Sequence, residues 1–391
     1  MPRTVTIALI TDEGAVLGAL PPFEVEPRWW HETASIVTGA KERFGVEVAV
    51  LRLLHGELPV PPGGAVTYLA QVPEPPRIAL SPIDVDLADQ PNRAAYARLG
   101  GPAASLDWAA GQLEELELGP IGAAIQQRTW NLSAIWRLES AAGTVWLKQV
   151  PEFFAHEPAV LRWLAMEGFG LTSPMQLATD GLRMLLADLP GEDLYGCGND
   201  VLQSIAATQH EVQLTAATQV PRLLDLGIPD LRPSRLTAHL THTVNEYAGS
   251  DPALADLVAG LPDRWTAIDE CGLPDTLVHG DLHPGNARGD ATHQVVLDWG
   301  DSFVGHPGFD ILRLTEWLPE PDAGELIDAW AAQWQDAVPG SDPLRAIKLL
   351  RPVAALRNAA VYARFLAHIE PAEYPYHAAD VPLWLDNAVA A

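Results

Sequence analysis

Two short apolar segments, each running into a loop that carries aspartate, interrupt the helical C-terminal half of this 391-residue chain. The first lies within residues 276–286 and the second within residues 295–303. Around them, apolar residues recur at helical spacing from residue 200 to residue 368. The pattern therefore predicts a mainly helical domain in which two strand ends present acidic loops.

The residue types in these loops fit phosphoryl transfer. Asp281 precedes Asn286 by five positions, and the second strand ends at Asp298, twelve residues after Asn286. Phosphoryl transfer needs a carboxylate that orients the acceptor hydroxyl and takes its proton, and an amide oxygen that helps to hold Mg²⁺. A second carboxylate supplies a further oxygen ligand. Turn and capping chemistry also places Asp and Asn at strand ends, which is the alternative interpretation.

The segments HGDLHPGN and VVLDWGDSFVGHPGFDI resemble the catalytic and metal loops of the aminoglycoside phosphotransferase and choline kinase-like superfamily. The resemblance implies that Asp281 is the catalytic base and that Asn286 and Asp298 bind Mg²⁺. It also implies that His279 supports the catalytic loop and that Asp310 is a structural aspartate. ATP is the implied phosphoryl donor.

Further upstream, the apolar strand TVWLK ends at Lys148, and Glu157 follows nine residues later on a predicted helix. These residues resemble the kinase lysine, which contacts the α and β phosphates, and its glutamate partner. A lysine in an apolar strand needs a carboxylate or phosphate partner that offsets desolvation of its ammonium group. Glu157 is the predicted partner, and a surface lysine with a solvated glutamate is the alternative.

Two more nucleotide contacts follow from the same resemblance. The segment GLRMLLADLPG resembles the last strand of the kinase N-lobe and its hinge, where the backbone near Ala187 and Leu189 would bond adenine. The phosphate loop would be residues 129–133, with Asn131 and Ser133 as its polar side chains. This loop differs from the protein-kinase pattern because it contains no glycine.

The predicted fold class is α+β, with a bilobal protein kinase-like fold, a β-rich N-lobe and a helical C-lobe, preceded by a small α+β domain. The resemblance covers about residues 120–370. The predicted segments are a small domain at 1–85, a helical connector at 86–120, the N-lobe at 121–190 and the C-lobe at 191–391.

The first segment resembles half of a Nudix fold, with a hairpin, a helix, a glycine and a strand over residues 4–54. The sequence ETASIVTGAKERFGVEVAVLRLL parallels the region around the Nudix metal-binding box. TGAKER stands at 38–43, where several acids would coordinate metal, so diphosphate hydrolysis is not expected. We expect this domain to serve as a cap or an oligomerisation surface.

The composition of the chain restricts the classes of partner that it is expected to bind. The formal net charge of −27 disfavours nucleic acid and anionic membranes, and it favours a cationic acceptor. Two cysteines without metal-ligand spacing fit a reducing compartment. No apolar run reaches the length of a membrane span, and no basic leader opens the chain. We therefore expect a cytoplasmic protein.

The sequence favours a kinase that phosphorylates a hydroxyl of an aminoglycoside, aminosugar or related polyol. The alternatives are a kinase for a choline-, homoserine- or ketosamine-like metabolite, or a catalytically silent nucleotide-binding regulatory module. Near the site, Glu316 and Trp317 are expected on a solvated face, and Tyr195 is expected in the core. His283 is expected to be structural, and Asp301 is either a metal contact or a loop cap.

Overall fold

The computed structural model describes residues 3–26, 29–57, 64–290 and 292–391. The chain divides into two compact units. The first comprises residues 1–152, 177–188 and 364–379, and the second comprises residues 153–176, 189–363 and 380–391. No helix among the described residues is long and apolar enough to cross a membrane.

Two five-stranded sheets lie in the N-terminal part of the chain. Their strands are β1 (Arg3–Thr11), β2 (Val16–Ala19), β3 (Phe23–Val25), β4 (Ala49–Gly56), β5 (Ala65–Val72), β6 (Ile121–Trp130), β7 (Ser133–Ser140), β8 (Gly143–Gln149), β9 (Gln176–Thr179) and β10 (Arg183–Ala187). The helices between them are α1 (Ala34–Phe44) and α2 (Gly101–Glu115). Both sheets and both helices confirm the predicted mixture of strands and helices in this half.

The first sheet is mixed and has the strand order β2-β1-β5-β4. β1 pairs with β5 in parallel and with β2 as the predicted antiparallel hairpin. Residues of β1 are buried on both faces: Val5, Ile7 and Leu9 join a cluster that includes Ile36 of α1, while Ile10 joins a second cluster. The sheet is therefore covered on both sides, and the Nudix likeness stays a prediction.

The second sheet has the order β6-β7-β8-β10-β9, and its first four strands pair antiparallel. Ala109 and Leu113 of α2 pack on its buried face against Trp136 and Leu147. The turn between β6 and β7 is Asn131–Leu132, which lies in the predicted phosphate loop. This sheet is the predicted β-rich N-lobe.

The second unit is mainly helical, as predicted. Its helices are α3 (Glu157–Met166), α4 (Asn199–Ala217), α5 (Val220–Asp225), α6 (Pro233–Tyr247), α7 (Pro252–Ala259), α8 (Leu261–Asp269), α9 (Gly308–Thr315), α10 (Glu320–Ala337), α11 (Pro343–His368) and α12 (Asp380–Ala390). Its strands are β11 (Glu192–Asp193), β12 (Thr276–Val278), β13 (Ala287–Gly289), β14 (Gln294–Val296) and β15 (Phe303–Gly305). β12 pairs with β15, and β13 pairs with both β11 and β14.

The last turn of α11 and the 3₁₀ segment Pro371–Tyr376 belong to the first unit. We call residues 364–379 the C-terminal segment. The sequence assigned this segment to the helical C-lobe, which was predicted to span residues 191–391. The predicted boundaries at residues 85, 120 and 190 stay predictions, since both sheets fall within one unit.

Candidate active site

The catalytic loop begins at His279, directly after β12. Gly280 has φ +84°, and a Cβ built on it would clash with the carbonyl oxygen of Asp301. Only glycine fits both the left-handed backbone and this close approach. The glycine of the HGD sequence thus allows the catalytic loop and the loop after β14 to touch.

Asp310, near the start of α9, fixes the backbone of the catalytic loop. Its carboxylate accepts hydrogen bonds from the backbone N–H groups of His279 and Gly280, each at 3.0 Å. The side-chain amides of Gln209 and Gln213 donate to it at 2.7 and 2.9 Å. Burial raises the pKa of Asp310, and these donors together with the nearby His279 oppose the shift. The predicted structural role of Asp310 is confirmed.

His279 connects the two loops through its ring. Its Nδ1 accepts a hydrogen bond from the backbone N–H of Asp281 at 3.2 Å, and its Nε2 lies 2.8 Å from the carbonyl oxygen of Leu297. An acceptor at Nδ1 leaves the proton on Nε2, which donates to that carbonyl. The predicted support of the loop by His279 is therefore confirmed.

Three side chains surround the carboxylate of Asp281. Arg313 Nε donates to Oδ1 at 2.8 Å, Asn286 Nδ2 donates to Oδ2 at 2.9 Å, and His283 Nε2 lies 3.5 Å from Oδ2. Burial alone would raise the pKa of Asp281, but the His283 bond and the Arg313 charge outweigh it and hold the pKa well below its usual range. Asp281 is thus an ionised, weakly basic group suited to orienting a hydroxyl.

The residues predicted to bind Mg²⁺ lie on hydrogen-bonded loops. The backbone N–H of Leu297, one residue before Asp298, donates to the carbonyl oxygen of Asn286 at 2.7 Å. Asp298 has a left-handed backbone, with φ 60°, which is unusual for a residue with a side chain. Among the described residues, no group of three or more His, Cys, Asp or Glu side chains forms a complete metal site. One amide and one carboxylate fit Mg²⁺, which takes few protein ligands and keeps phosphate oxygens.

Glu157 and Lys148 lie in different units. Glu157, in the first turn of α3, accepts a hydrogen bond from the backbone N–H of Trp299 at 3.2 Å, directly after Asp298. Lys148 lies on β8, buried and opposite Met184 of β10. The ion pair between them and the phosphate contact of Lys148 stay predictions.

The other predicted nucleotide contacts have partners of their own. Ala187 ends β10 and pairs with Val145, while the carbonyl oxygen of Leu189 accepts a hydrogen bond from Arg288 Nε at 2.9 Å. Ser133 Oγ accepts from the indole of Trp130 at 2.9 Å, and Asn131 is bonded to the C-terminal segment. These contacts give Ser133 and Asn131 structural roles, and their phosphate contacts stay predictions.

A family model described as the phosphotransferase enzyme family matches residues 120–347 of the chain. This match covers more than half of the sequence and includes every loop described above. The chain belongs to the phosphotransferase enzyme family. It is thus a small-molecule kinase by family, as the sequence predicts.

Solved structures share the fold of this phosphotransferase. Macrolide 2'-phosphotransferase MphH from Brachybacterium faecium has 19% identity and a TM-score of 0.51, covering 71% of this chain and 98% of its own. The GDP and kanamycin complex of APH(2")-IIia has 13% identity and a TM-score of 0.53, covering 73% and 99%. A choline/ethanolamine kinase family protein from Mesorhizobium loti has 14% identity and a TM-score of 0.51, covering 73% and 98%. No curated protein matches the chain significantly.

A cavity of about 250 Å³ lies next to the catalytic loop of the phosphotransferase. Gly280 forms part of its wall, with Arg313 and Glu316 of α9 and its C-terminal end. The rest of the wall comes mainly from α11 and α12, including Arg351, Arg357, Asn358, Trp384 and Asn387. The cavity therefore adjoins Asp281 through its neighbours Gly280 and Arg313.

Glu316 corrects one expectation and Tyr195 corrects another. Glu316 lines the cavity and forms an ion pair with Arg313, so it is not on a solvated face. Tyr195 is 70% exposed, not in the core, and its ring covers Gly285 of the catalytic loop of the phosphotransferase. Trp317 is 73% exposed, as expected. His283 has its expected turn contact, accepting from the Gly285 N–H at 3.0 Å, and it also faces Asp281.

Sequence reasoning missed two arginines of the phosphotransferase. Arg313 lies three residues after Asp310 on α9, a spacing that places both on one face of a helix. Arg357 of α11 is buried, donates to the carbonyl oxygens of Gly280 and Asp301, and covers the ring of Phe303 at 4.8 Å. The spacing of Arg313 from Asp310 could have indicated that it lies near the catalytic loop. Nothing in the sequence around Arg357 indicates its contact with that loop.

Proposed function

We propose that this phosphotransferase transfers the γ-phosphoryl group of ATP to a hydroxyl of a small molecule held in the cavity beside Asp281. The observation that carries the proposal is the carboxylate of Asp281, which is half-buried between Arg313, Asn286 and His283. Its neighbours Gly280 and Arg313 form part of the cavity wall. An ionised carboxylate placed beside an acceptor cavity is the arrangement that a hydroxyl nucleophile requires.

In this mechanism, the acceptor hydroxyl donates a hydrogen bond to Asp281. Its oxygen attacks the γ-phosphorus while the bond to the β,γ-bridging oxygen breaks, and ADP leaves with the electron pair. Because the pKa of Asp281 is held low, proton transfer comes late and Asp281 acts chiefly by orientation. Asn286 and Asp298 would hold Mg²⁺, which when bound neutralises charge on the phosphates.

The wall of the cavity favours a polyol or aminosugar acceptor. Asn358 and Asn387 present amides, Trp384 presents an apolar ring, and Glu316 can receive an amino group. Arg313 is matched by Asp281 and Glu316, whereas Arg351 is exposed at the wall. The acidic excess of the whole chain does not extend to this wall, so hydroxyl groups are the main recognition element that we propose.

The structural relatives support this range of acceptors. One was solved with kanamycin, one is a macrolide 2'-phosphotransferase, and one belongs to the choline/ethanolamine kinase family. GDP in the kanamycin complex makes GTP a competing donor to test.

The test measures Mg²⁺-dependent turnover of ATP and of GTP with aminosugars, neutral sugars, aminoglycosides, macrolides, choline and homoserine. With the correct acceptor, Asp281→Ala should lower kcat at least about a hundredfold. Asp328→Asn, on an exposed position of α10, is the matched control and should leave kcat unchanged. Turnover that survives Asp281→Ala would overturn the proposal, and ATP binding without any acceptor would favour the regulatory module.

A further inference from the structure

The turn between β6 and β7 is held by the C-terminal segment, within the first unit. The backbone N–H of Asn131 points at both carboxylate oxygens of Glu373, at 3.2 and 3.3 Å. The side-chain oxygen of Asn131 accepts from the backbone N–H of Glu370 at 3.1 Å. Asn131 and Glu373 are both buried. One turn residue is therefore bonded through its main chain and its side chain, across about 240 positions of sequence.

The segment that holds the turn is itself anchored. The carboxylate of Glu370 accepts from Arg93 Nε at 3.1 and 3.2 Å and from Arg93 Nη2 at 2.9 Å. Asn92 Nδ2 donates to the carbonyl oxygens of Ala367 and Ile369 at 3.1 and 3.2 Å. A bidentate hydrogen bond from a guanidinium to a buried carboxylate fixes both the position and the orientation of that carboxylate. The connector before α2 thus holds the segment in place.

Aromatic packing closes the same region. The rings of Trp30 and Tyr376 stack with centroids 3.9 Å apart, and Trp130 lies edge-on to Trp30 at 6.0 Å. The hydroxyl of Tyr96 donates to the carbonyl oxygen of Trp130 at 2.7 Å. The turn is therefore fixed at two successive residues, at Trp130 through its carbonyl oxygen and at Asn131 through the two glutamates.

The β6–β7 turn is ordered by these contacts, in contrast to the glycine-rich loop of protein kinases. In protein kinases, a glycine-rich loop covers the nucleotide phosphates. A loop with several glycines must be ordered when the ligand binds, whereas a turn that is already ordered avoids that entropic penalty. The β6–β7 turn contains no glycine and is buried from Asn131 to Ala134.

We propose that Glu370 and Glu373 are positioning residues that hold the β6–β7 turn ready to receive the phosphates of the nucleotide. The proposal rests on the function proposed above, because it takes this turn as the phosphate loop. Each glutamate acts through Asn131.

The environment of Glu373 makes the contact dependent on pH. Burial raises the pKa of Glu373 to about 7, although bonds from Asn131 oppose the shift. The titratable groups that face it are Glu370 and Tyr376 of its own segment, Tyr96 of the connector and Tyr68 of the first sheet, while Arg3 lies beside Tyr68 and Tyr376. Above about pH 7 the ionised carboxylate accepts the Asn131 N–H more strongly.

The experiment measures nucleotide affinity directly, with a fluorescent ATP analogue and Mg²⁺, together with KM for ATP and for the acceptor. Glu373→Ala should raise the Kd and KM of ATP about tenfold, the effect of one lost hydrogen bond to a charged group, and leave the acceptor KM unchanged. Glu373→Gln, which keeps an accepting oxygen, should restore most of the affinity. Glu114→Ala, on the exposed face of α2, is the control.

Comparison of pH 6 with pH 8 gives a second readout, which remains if Glu373→Ala does not fold. The ratio of the wild-type Kd to the Glu373→Gln Kd should change between pH 6 and pH 8. Titration of the nucleotide phosphates affects both proteins equally, so it cancels in this ratio. Equal changes in both KM values, or wild-type affinity in a folded Glu373→Ala variant, would overturn the proposal, as would identical pH profiles. Failure of phosphoryl transfer would appear in turnover alone, because the binding assay needs no acceptor.

Discussion

At the scale of single residues, Gly280 shows why the HGD sequence requires glycine. Its φ of +84° and the close approach of the Asp301 carbonyl oxygen leave no room for any Cβ. The sequence alone marks this glycine as part of a motif. Its physical reason, the contact between two loops, becomes visible only in three dimensions.

Gly280→Ala should therefore abolish most activity. The added methyl group forces the Asp301 backbone away and strains the left-handed backbone, which costs roughly 1–3 kcal/mol in stability. Gly324→Ala is the matched control, because Gly324 lies within α10 with open space around it and should gain up to about 1 kcal/mol. Thermal unfolding and kcat check both variants, and equal behaviour of the two would contradict this explanation.

Arg313 is one of the two residues, with His283, that hold the pKa of Asp281 low. Arg313→Gln removes the guanidinium charge and should raise the pKa of Asp281, so that the acidic limb of the kcat profile moves to higher pH. At neutral pH, kcat should fall about tenfold or more, because the carboxylate loses its orienting bond. Rate profiles from pH 4 to pH 8 check this, because the wild-type limb lies below that range and a limb that appears within it in Arg313→Gln marks the shift.

The control for this variant is Arg235→Gln, at an exposed position of α6 whose nearest carboxylate oxygen, on Asp230, is 3.9 Å away. Its profile should coincide with that of the wild type. An acidic limb that stays in place in Arg313→Gln would show that His283 and Asn286 alone control Asp281.

At the scale of elements, α11 stabilises the catalytic centre through one buried side chain. Arg357 donates to the carbonyl oxygens of Gly280 and Asp301, which belong to different loops. A planar guanidinium reaches two acceptors at once, whereas a lysine ammonium is a point donor on a flexible stem. The helix thus fixes the distance between the catalytic loop and the loop that follows Asp298.

Arg357→Lys should accordingly lower kcat by about one to two orders of magnitude while KM for ATP changes little, because the loss is in geometry of the reacting groups. Arg264→Lys, whose Nη1 donates to the carbonyl oxygen of Leu349 elsewhere on α11, is the matched control. Steady-state kinetics on both variants distinguish the two. A parallel fall in both proteins would indicate general destabilisation of α11.

The elements that were predicted correctly carry their own local signal. The β1–β2 hairpin has alternating β-branched residues around a turn, and helices such as α4 have apolar residues at helical spacing. Within the predicted connector, apolar spacing also predicts a helix over residues 92–98. That prediction is wrong, because this stretch forms only a single 3₁₀ turn at Ala95–Ala97. Asn92 and Arg93 instead bond the C-terminal segment, a contact some 275 residues distant that overrides local preference.

The residues of the candidate site likewise fall into those that the sequence predicted and those that it did not. Asp281, Asn286 and Asp298 were predicted from two loops that occupy a short stretch of chain. Arg313, Arg357 and the glutamates of the C-terminal segment were not predicted, because each acts on a partner that is distant in sequence.

At the scale of the whole molecule, the C-terminal segment joins the fold of the first unit and brings a buried acid into it. The pKa of Glu373 is raised by burial from 4.5 to about 7. A carboxyl group with a raised folded-state pKa contributes stability that is fully present below its unfolded pKa and is lost as pH rises to the folded pKa. Wild type should therefore lose up to about 3 kcal/mol relative to Glu373→Gln between about pH 4.5 and pH 7.

Two buried histidines change the free energy of unfolding in the opposite direction with pH. The test therefore compares wild type with Glu373→Gln at each pH. Burial lowers the pKa of His377 to about 4 and that of His31 well below its usual value, so the stability they contribute is lost as pH falls below about 6.5. Both histidines are present in wild type and in Glu373→Gln, and their effect cancels. Urea unfolding of the two proteins from pH 4.5 to pH 8 should give a stability difference that grows up to about pH 7 and is then constant. A difference that does not vary with pH would mean that Glu373 titrates as an ordinary surface carboxylate, and the burial of the C-terminal segment would no longer explain how it holds the turn.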